Sequence, residues 1–287
     1  MPESPEVKYS VEILRKHIQN KSLLKVAIIG GKFTKTLPLN FDSFNLQLPL
    51  TFENVRCKGK MLIFDFKDTK MKMFAGLGMT GQFVFYKDSH SALEFTFEDI
   101  VNTSEDTLER SIAKFYFNDM RRFGNIIFST VDESSRIAPS ILSCGDEKEI
   151  SQTEFLSRGK ALQKRTSRDV TTVLMDQTEK TGVCSGIGNY LVAEILYHSG
   201  INPFRKFKSL SEEELIKIHG CALRISLDSY NNQGMTVSDF ISPEGKEGTY
   251  QKFLHVYSRK MTPDGDIVVS EKGGHGRTIW WVPSKQT

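Results

Sequence analysis

The hydrophobic pattern changes period once, near residue 150, and that change limits what this chain can fold into. Up to Ser129 the apolar residues come in short runs: Leu23–Ile29, Met61–Phe66, Gln82–Tyr86, Leu93–Phe97, Lys114–Phe117 and Asn125–Ser129. Many alternate with polar residues, and Gly- or Asp-containing turns separate them. Period-two alternation is the mark of half-buried strands, and several in a row suggest a sandwich or barrel. The opening segment differs. Val7, Val11, Leu14 and Ile18 mark one helix face, which the pair Ser4-Pro5 would start, Ser as N-cap and Pro as first helical residue. Beyond residue 150 the period is helical: Asp169–Asp176, Gly188–Ser199 with Gly200 as stop, and a long helix to about Asn231 opened by the Ser211-x-x-Glu214 capping box. From Phe253 strand patterns return at 254–258, 266–270 and 278–282 around a Pro263-Asp264-Gly265 turn. The expected class is α+β with two domains. Residues 1–142 form an antiparallel β-sandwich with flanking helices, 143–152 a linker within the polar stretch Val131–Gln152, 153–250 a helical domain, and 251–287 a small antiparallel hairpin.

Composition narrows the class of partner. With 25% charged and 39% hydrophobic residues the chain reads as globular. No apolar run approaches the ~18 residues of a membrane span, and no basic stretch leads into an apolar one, so an intracellular, non-secreted protein is expected. Basic and acidic residues balance at 20 and 20 over residues 1–150 and at 12 and 12 over 151–250, but stand at 6 and 3 beyond residue 250. A basic tail is a footprint for a polyanion, although a solvated tail has the same composition. Cys57, Cys144, Cys184 and Cys221 are far apart, without zinc-site spacing. Neither metal nor cofactor is expected.

The first residues carry a chemical possibility. Aminopeptidases remove Met1 before a residue as small as Pro2, which leaves a secondary amine that titrates near pH ~8. Such an amine condenses with an aldehyde to an iminium that is cationic without an added proton, and Schiff-base nucleophiles split one hard step into two easier ones. Glu3 stands beside it as an acid/base partner. A plain helix start explains the same residues.

Other segments decide between these readings. The start PESPEV, Gly59-Lys60 opening the run MLIFDF, Leu77-Gly78-Met79-Thr80-Gly81, and Asn118-Asp119-Met120-Arg121-Arg122-Phe123-Gly124 occur in this order. They are followed by LMDQ at 174–177, GIGNYLVAEILYHSGINP at 186–203, the run 234–259, and Gly276-Arg277-Thr278. This ordered set resembles the Fpg/Nei family of DNA glycosylases, formamidopyrimidine-DNA glycosylase and endonuclease VIII, over nearly the whole chain. The 174–203 segment looks like the family's helix–two-turns–helix element. Many members carry a four-cysteine zinc finger after it. Here the corresponding positions hold no cysteine, as in the zincless-finger subset known among Nei-like enzymes. Hairpin pairing, Trp280 and Trp281 would then hold the finger together.

The resemblance implies a bifunctional glycosylase/lyase of base excision repair that acts as a monomer on damaged double-stranded DNA, with single-stranded or bubble DNA as a second form. A base inside the duplex must be flipped out to be reached. Met79, Arg121 and Phe123 would fill the hole, with Arg122 beside them on the DNA face. Pro2 would attack C1′, Glu3 would protonate the opening sugar ring or relay protons, and Glu6 would orient the amine or a water, unless it is only a favourable N-terminal helix charge. Lys60, Asn189 and Arg277 would anchor phosphates; Asn189 also fits a plain N-cap. The expected lesions are oxidised pyrimidines and hydantoins, with oxidised purines such as 8-oxoguanine as the alternative. A non-catalytic damage binder on the same fold would lack Pro2 or Glu3. An RNA-associated protein would leave PESPEV and Lys60 unexplained.

Overall fold

The computed structural model describes the chain apart from Met1, residues 103–107, residue 146 and residues 237–239, with the backbone alone over the rest of 99–110. The chain opens with helix α1, Ser4–Ile18. Val7, Val11, Leu14 and Ile18 are all fully buried, the face that their spacing marks. The cap differs from expectation. Glu3 is the N-cap, and Ser4 and Pro5 lie inside the first turn. Ser4 is drawn inward because its N–H donates to the Gly186 carbonyl at 3.0 Å, and Glu6 reaches back to the Glu3 N–H at 2.7 Å.

Among the described residues eight strands follow: β1 Ser22–Ile28, β2 Leu50–Lys58, β3 Met61–Phe66, β4 Lys72–Gly76, β5 Gln82–Val84, β6 Ser91–Asn102, β7 Leu108–Asn118 and β8 Asn125–Ser129. All pair antiparallel in the order β5-β7-β6-β1-β2-β3-β4-β8. The order folds over at its middle, where β1 and β2 share only Ser22↔Thr51 and Leu23↔Leu50. Two four-stranded layers thus face each other across phenylalanines. Phe115 of β7 stacks on Phe95 at 4.5 Å within its layer, and meets Phe64 at 6.5 Å and Phe52 at 6.2 Å across the gap. A short helix, α2 Phe41–Asn45, closes one side by stacking Phe44 on Phe128 at 4.2 Å.

The second half is helical: α3 Gln152–Gln163, α4 Val170–Met175, α5 Asn189–Ser199 and α6 Glu212–Asn231. Gly200 ends α5 in the left-handed conformation, φ 71°, and Ser211 with Glu214 forms the capping box of α6. The 143–152 stretch lies against both cores. Cys144 belongs to the sandwich interior and Ile150 to the helical one. The C-terminal hairpin pairs β9, Val269–Lys272, with β10, Thr278–Trp281. The strand expected over 254–258 does not form. The N–H groups of His255, Val256 and Tyr257 all donate to the buried Glu194 carboxylate, at 2.9, 2.9 and 2.8 Å, so none is left for a ladder. Burial alone would raise the Glu194 carboxyl, but these donors and the His255 side chain hold it below its usual range. Tyr257 packs on Trp280 at 4.6 Å and Phe204 on Trp281 at 5.6 Å, which ties the hairpin to the helical half.

Because Phe115 joins both layers, Phe115→Ala should lower unfolding free energy by about 3–5 kcal/mol, the usual cost of an aromatic-sized cavity. Urea unfolding checks this; a loss below ~1 kcal/mol would mean the layers are held otherwise.

Candidate active site

The start of α1 and the start of α5 meet end to side, and a buried carboxylate joins them. Glu3 accepts N–H groups from Gly188 at 2.6 Å, Tyr190 at 3.0 Å and Leu191 at 3.3 Å. These are donors that a helix N-terminus leaves unpaired, and its dipole favours the negative charge. Gly188 has no room for a side chain, since a Cβ there would lie 2.3 Å from the Glu3 carboxyl carbon. Burial pushes the Glu3 carboxyl up, against Lys60 and the backbone donors of Tyr190 and Gly188, which pull it down.

Glu6 lies one turn further along. Besides the Glu3 N–H it accepts the Met235 N–H at 2.7 Å and the Tyr190 hydroxyl at 2.9 Å. Burial and the neighbouring Glu3 charge push its carboxyl up to about 7. Lys60 sits in the turn before β3. Burial pulls its ammonium down, partly opposed by Glu3, and Arg277 pulls it down further. Pro2, Lys60 and Arg277 line one cavity of about 520 Å³, whose walls also include Gly78, Gln177 and His275. Four of the five residues expected to carry chemistry thus cluster: Pro2, Lys60 and Arg277 on the cavity, with Glu3 buried behind it, while Glu6 supports Glu3 from the helix side.

Asn189 is the first residue of α5, and Gly188 is the N-cap, so the plain N-cap role does not hold. The Asn189 side-chain amide donates to the Thr278 carbonyl at 3.1 Å, next to Arg277. Met79, Arg121, Arg122 and Phe123 come from two loops, 77–81 between β4 and β5 and 119–124 between β7 and β8. The Thr80 hydroxyl donates to Asp119 at 2.8 Å and accepts the Arg121 N–H at 2.9 Å, while Asp119 also accepts the Gly124 N–H at 2.7 Å. Gly78, at φ 62°, lets the two backbones touch; a Cβ would lie 2.6 Å from the Phe123 carbonyl carbon. Beside the cavity this pairing presents Arg121, Arg122 and Phe123 to solvent, Phe123 at 60% exposure with the Arg121 guanidinium 5.6 Å above its ring. Met79 is half-buried. An aromatic and two cations held out by a buried hydrogen-bond network suit insertion into a stacked polyanion better than they suit a core.

Some site residues escape sequence reasoning. Tyr190 reads as helix core, and its role depends on its hydroxyl meeting Glu6 across the interdomain contact. Gln177 accepts the Gly186 N–H at 2.7 Å and donates to the Ile187 carbonyl at 3.0 Å, fixing the turn that delivers Gly188; its place in the LMDQ run is the only sequence signal. Met1, whose removal the amine chemistry needs, and residues 237–239 of the 234–259 run lie outside the described residues.

Known proteins are similar to this chain over nearly its whole length. Residues 1–126 match the formamidopyrimidine-DNA glycosylase N-terminal domain and residues 146–240 the formamidopyrimidine-DNA glycosylase H2TH domain. The formamidopyrimidine-DNA glycosylase of Shouchella clausii is 30% identical over 287 residues, with 96% of each chain covered. That of Exiguobacterium sp. is 29% identical over 281 residues, again with 96% of each chain covered. Among solved structures, the MutM (Fpg) protein of Thermus thermophilus superposes with a TM-score of 0.80 at 24% identity, covering 99% of this chain and 98% of that one. Lactococcus lactis Fpg in complex with DNA containing an abasic site superposes with a TM-score of 0.78 at 20% identity, covering 99% of each. With the sandwich and the H2TH domain both matched, and relatives aligned nearly end to end, the chain belongs to the formamidopyrimidine-DNA glycosylase family.

Proposed function

We propose that this protein is a bifunctional DNA glycosylase and abasic-site lyase of base excision repair, with the Pro2 amine as nucleophile. The observation that carries the reading is the junction of Pro2 on the cavity wall with Glu3 buried immediately behind it on the N-terminus of α5. With Met1 removed, the unprotonated Pro2 nitrogen attacks C1′ of a flipped nucleotide while the C1′–base bond breaks, and the proton that the amine loses leaves on the departing base. Glu3, whose burial favours the protonated form, supplies the proton to the sugar ring oxygen as the ring opens. The product is an iminium between Pro2 and C1′. It acts as an electron sink, so the C2′ proton is lost and the 3′ phosphate leaves; a second elimination expels the 5′ phosphate. Lys60 and Arg277 line the cavity as cations suited to the flanking phosphates. Met79, Arg121 and Phe123 occupy the gap left in the duplex, Arg122 holds the backbone, and Asn189 acts beside Arg277.

The cysteine-free hairpin, as in the zincless-finger subset, favours oxidised pyrimidines and hydantoins as substrates. The name of the relatives, formamidopyrimidine-DNA glycosylase, favours formamidopyrimidines, which are ring-opened purines, instead. One experiment covers both readings. Mature protein is mixed with borohydride and duplexes carrying an abasic site, dihydrouracil or 8-oxoguanine. A covalent adduct on Pro2, mapped by mass spectrometry, is expected with the abasic and dihydrouracil DNAs; a stronger adduct with 8-oxoguanine would reverse the base preference. Tight abasic-DNA binding without an adduct, or Met1 retained on active protein, would refute the lyase.

Glu3→Gln should slow base excision by about 10²–10⁴-fold, the usual worth of a general acid, while single-turnover cleavage of a ready-made abasic site falls less. Equal losses in both assays would exclude the proposed proton transfer to the sugar ring. Glu6 gives a pH signature. Its folded pKa, about 7, exceeds the ordinary 4.5, so the folded state binds the extra proton between those values. Its contribution is therefore present below about 4.5 and is lost as pH rises to about 7. Relative to Glu6→Gln, the wild type should lose on the order of 1–3 kcal/mol over that range and no more above it. A difference between the two that stays flat with pH would contradict the buried, proton-binding carboxyl.

A further inference from the structure

A cluster of side chains of metal-ligating type lies toward the far end of α5, among the described residues. Glu194 and His198 are four residues apart and so share one helix face. His198 is nine residues beyond Asn189, ~14 Å along the axis from the helix start. His255, from the segment that fails to form a strand, comes across to meet them, and ligand atoms of all three lie within 4.8 Å of one another.

The state of each group is informative. An ionised carboxylate offers about four lone-pair positions, and backbone N–H groups fill three on Glu194. The remaining capacity lies on Oε2, which is 3.6 Å from His255 Nδ1. That is too far for a hydrogen bond, so the buried His255 Nδ1 makes none and faces Glu194 only as a longer charge contact. Neighbouring ligands of a tetrahedral ion with bonds of ~2.0–2.1 Å stand ~3.4 Å apart, close to this spacing. The two imidazoles meet edge to face at 4.5 Å and open into a cavity of about 430 Å³ that would admit an ion and its water. Arg224, on the same cavity, is paired with Asp228 at 3.5 Å, which offsets its charge.

We propose that Glu194, His198 and His255 bind one divalent transition-metal ion of the zinc type, with water as fourth ligand. Two imidazoles and a carboxylate match the ligand preference of zinc, copper and nickel rather than of calcium or magnesium. The ion would clamp the root of the C-terminal hairpin to α5, because His255 is two residues from Tyr257, the residue that packs on Trp280. The site is separate from the Pro2 cavity and does not depend on the proposed chemistry there.

The test uses the full-length protein, stripped with chelator. Cobalt(II) should bind with one equivalent and a visible tetrahedral absorption, and zinc should displace it. His198→Gln and His255→Gln should each weaken zinc binding at least about tenfold, since losing even an outer-shell partner costs that much, whereas exposed His90→Gln should not. Zinc should raise the melting temperature of wild type and not of the two variants. In wild-type protein, which needs no variant to fold, zinc should shift the imidazole NMR signals of His198 and His255 and leave those of His90 unmoved. No stoichiometric cobalt binding, undiminished zinc binding in both variants, or unshifted His198 and His255 signals would each overturn the proposal.

Discussion

The whole arrangement depends on one carboxylate sitting on one helix terminus. Glu3 accepts N–H groups from Gly188, Tyr190 and Leu191, so the beginning of the chain is fastened to a turn more than 180 residues later. An isolated buried carboxylate would be costly. Here its hydrogen bonds come from donors that α5 would otherwise leave unpaired. The same contact closes the two halves of the protein on each other and brings Pro2 to the cavity. Glu6, through Tyr190 and Met235, adds a second layer of the same kind, and Gln177 holds the approaching turn from the far side. The position of Pro2 is thus inherited from the packing of α1 against the start of α5.

Much of the fold can be read from hydrophobic period because period reports which face is buried. The α1 face, six of the eight sandwich strands and the α5 and α6 boundaries follow from it directly. Strands β2 and β4 escape it for different reasons. In β2 a register shift between Phe52 and Asn54 breaks the alternation of Leu50, Phe52, Val55 and Cys57, and β4 is a short apolar run buried on both faces. Helix α3 is lost within the polar stretch around 152, although its Ser151 cap accepts the Glu154 N–H at 3.2 Å. The 254–258 segment shows a limit of another kind. Its alternation is that of a strand, but a buried side chain about 60 residues away takes its N–H groups, and no local pattern records that.

The candidate site divides similarly. The motifs name Pro2, Glu3, Lys60 and Arg277, and the fold brings them together. What no motif expresses is the support: the Gly188 contact, the Tyr190 hydroxyl, and the Thr80–Asp119 pair that joins the two exposed loops. These depend on contacts between residues far apart in sequence. The Glu194–His198–His255 group has the same character, since only its helical pair is visible as a spacing.

Both exposed loops share a mechanical property. Loop 77–81 leaves β4 in one layer of the sandwich and enters β5 in the other, and loop 119–124 crosses back from β7 to β8 beside it. They are straps over the open end of the sandwich, spanning a gap whose width is set by the phenylalanines between the layers. A load on Phe123 or Met79 is therefore shared by both sheets, and the reach of these side chains is gauged by the thickness of the core. Trimming an interior ring such as Phe83, which touches Phe64 across the gap at 5.2 Å, would alter the height of the straps without changing any residue on the outer surface.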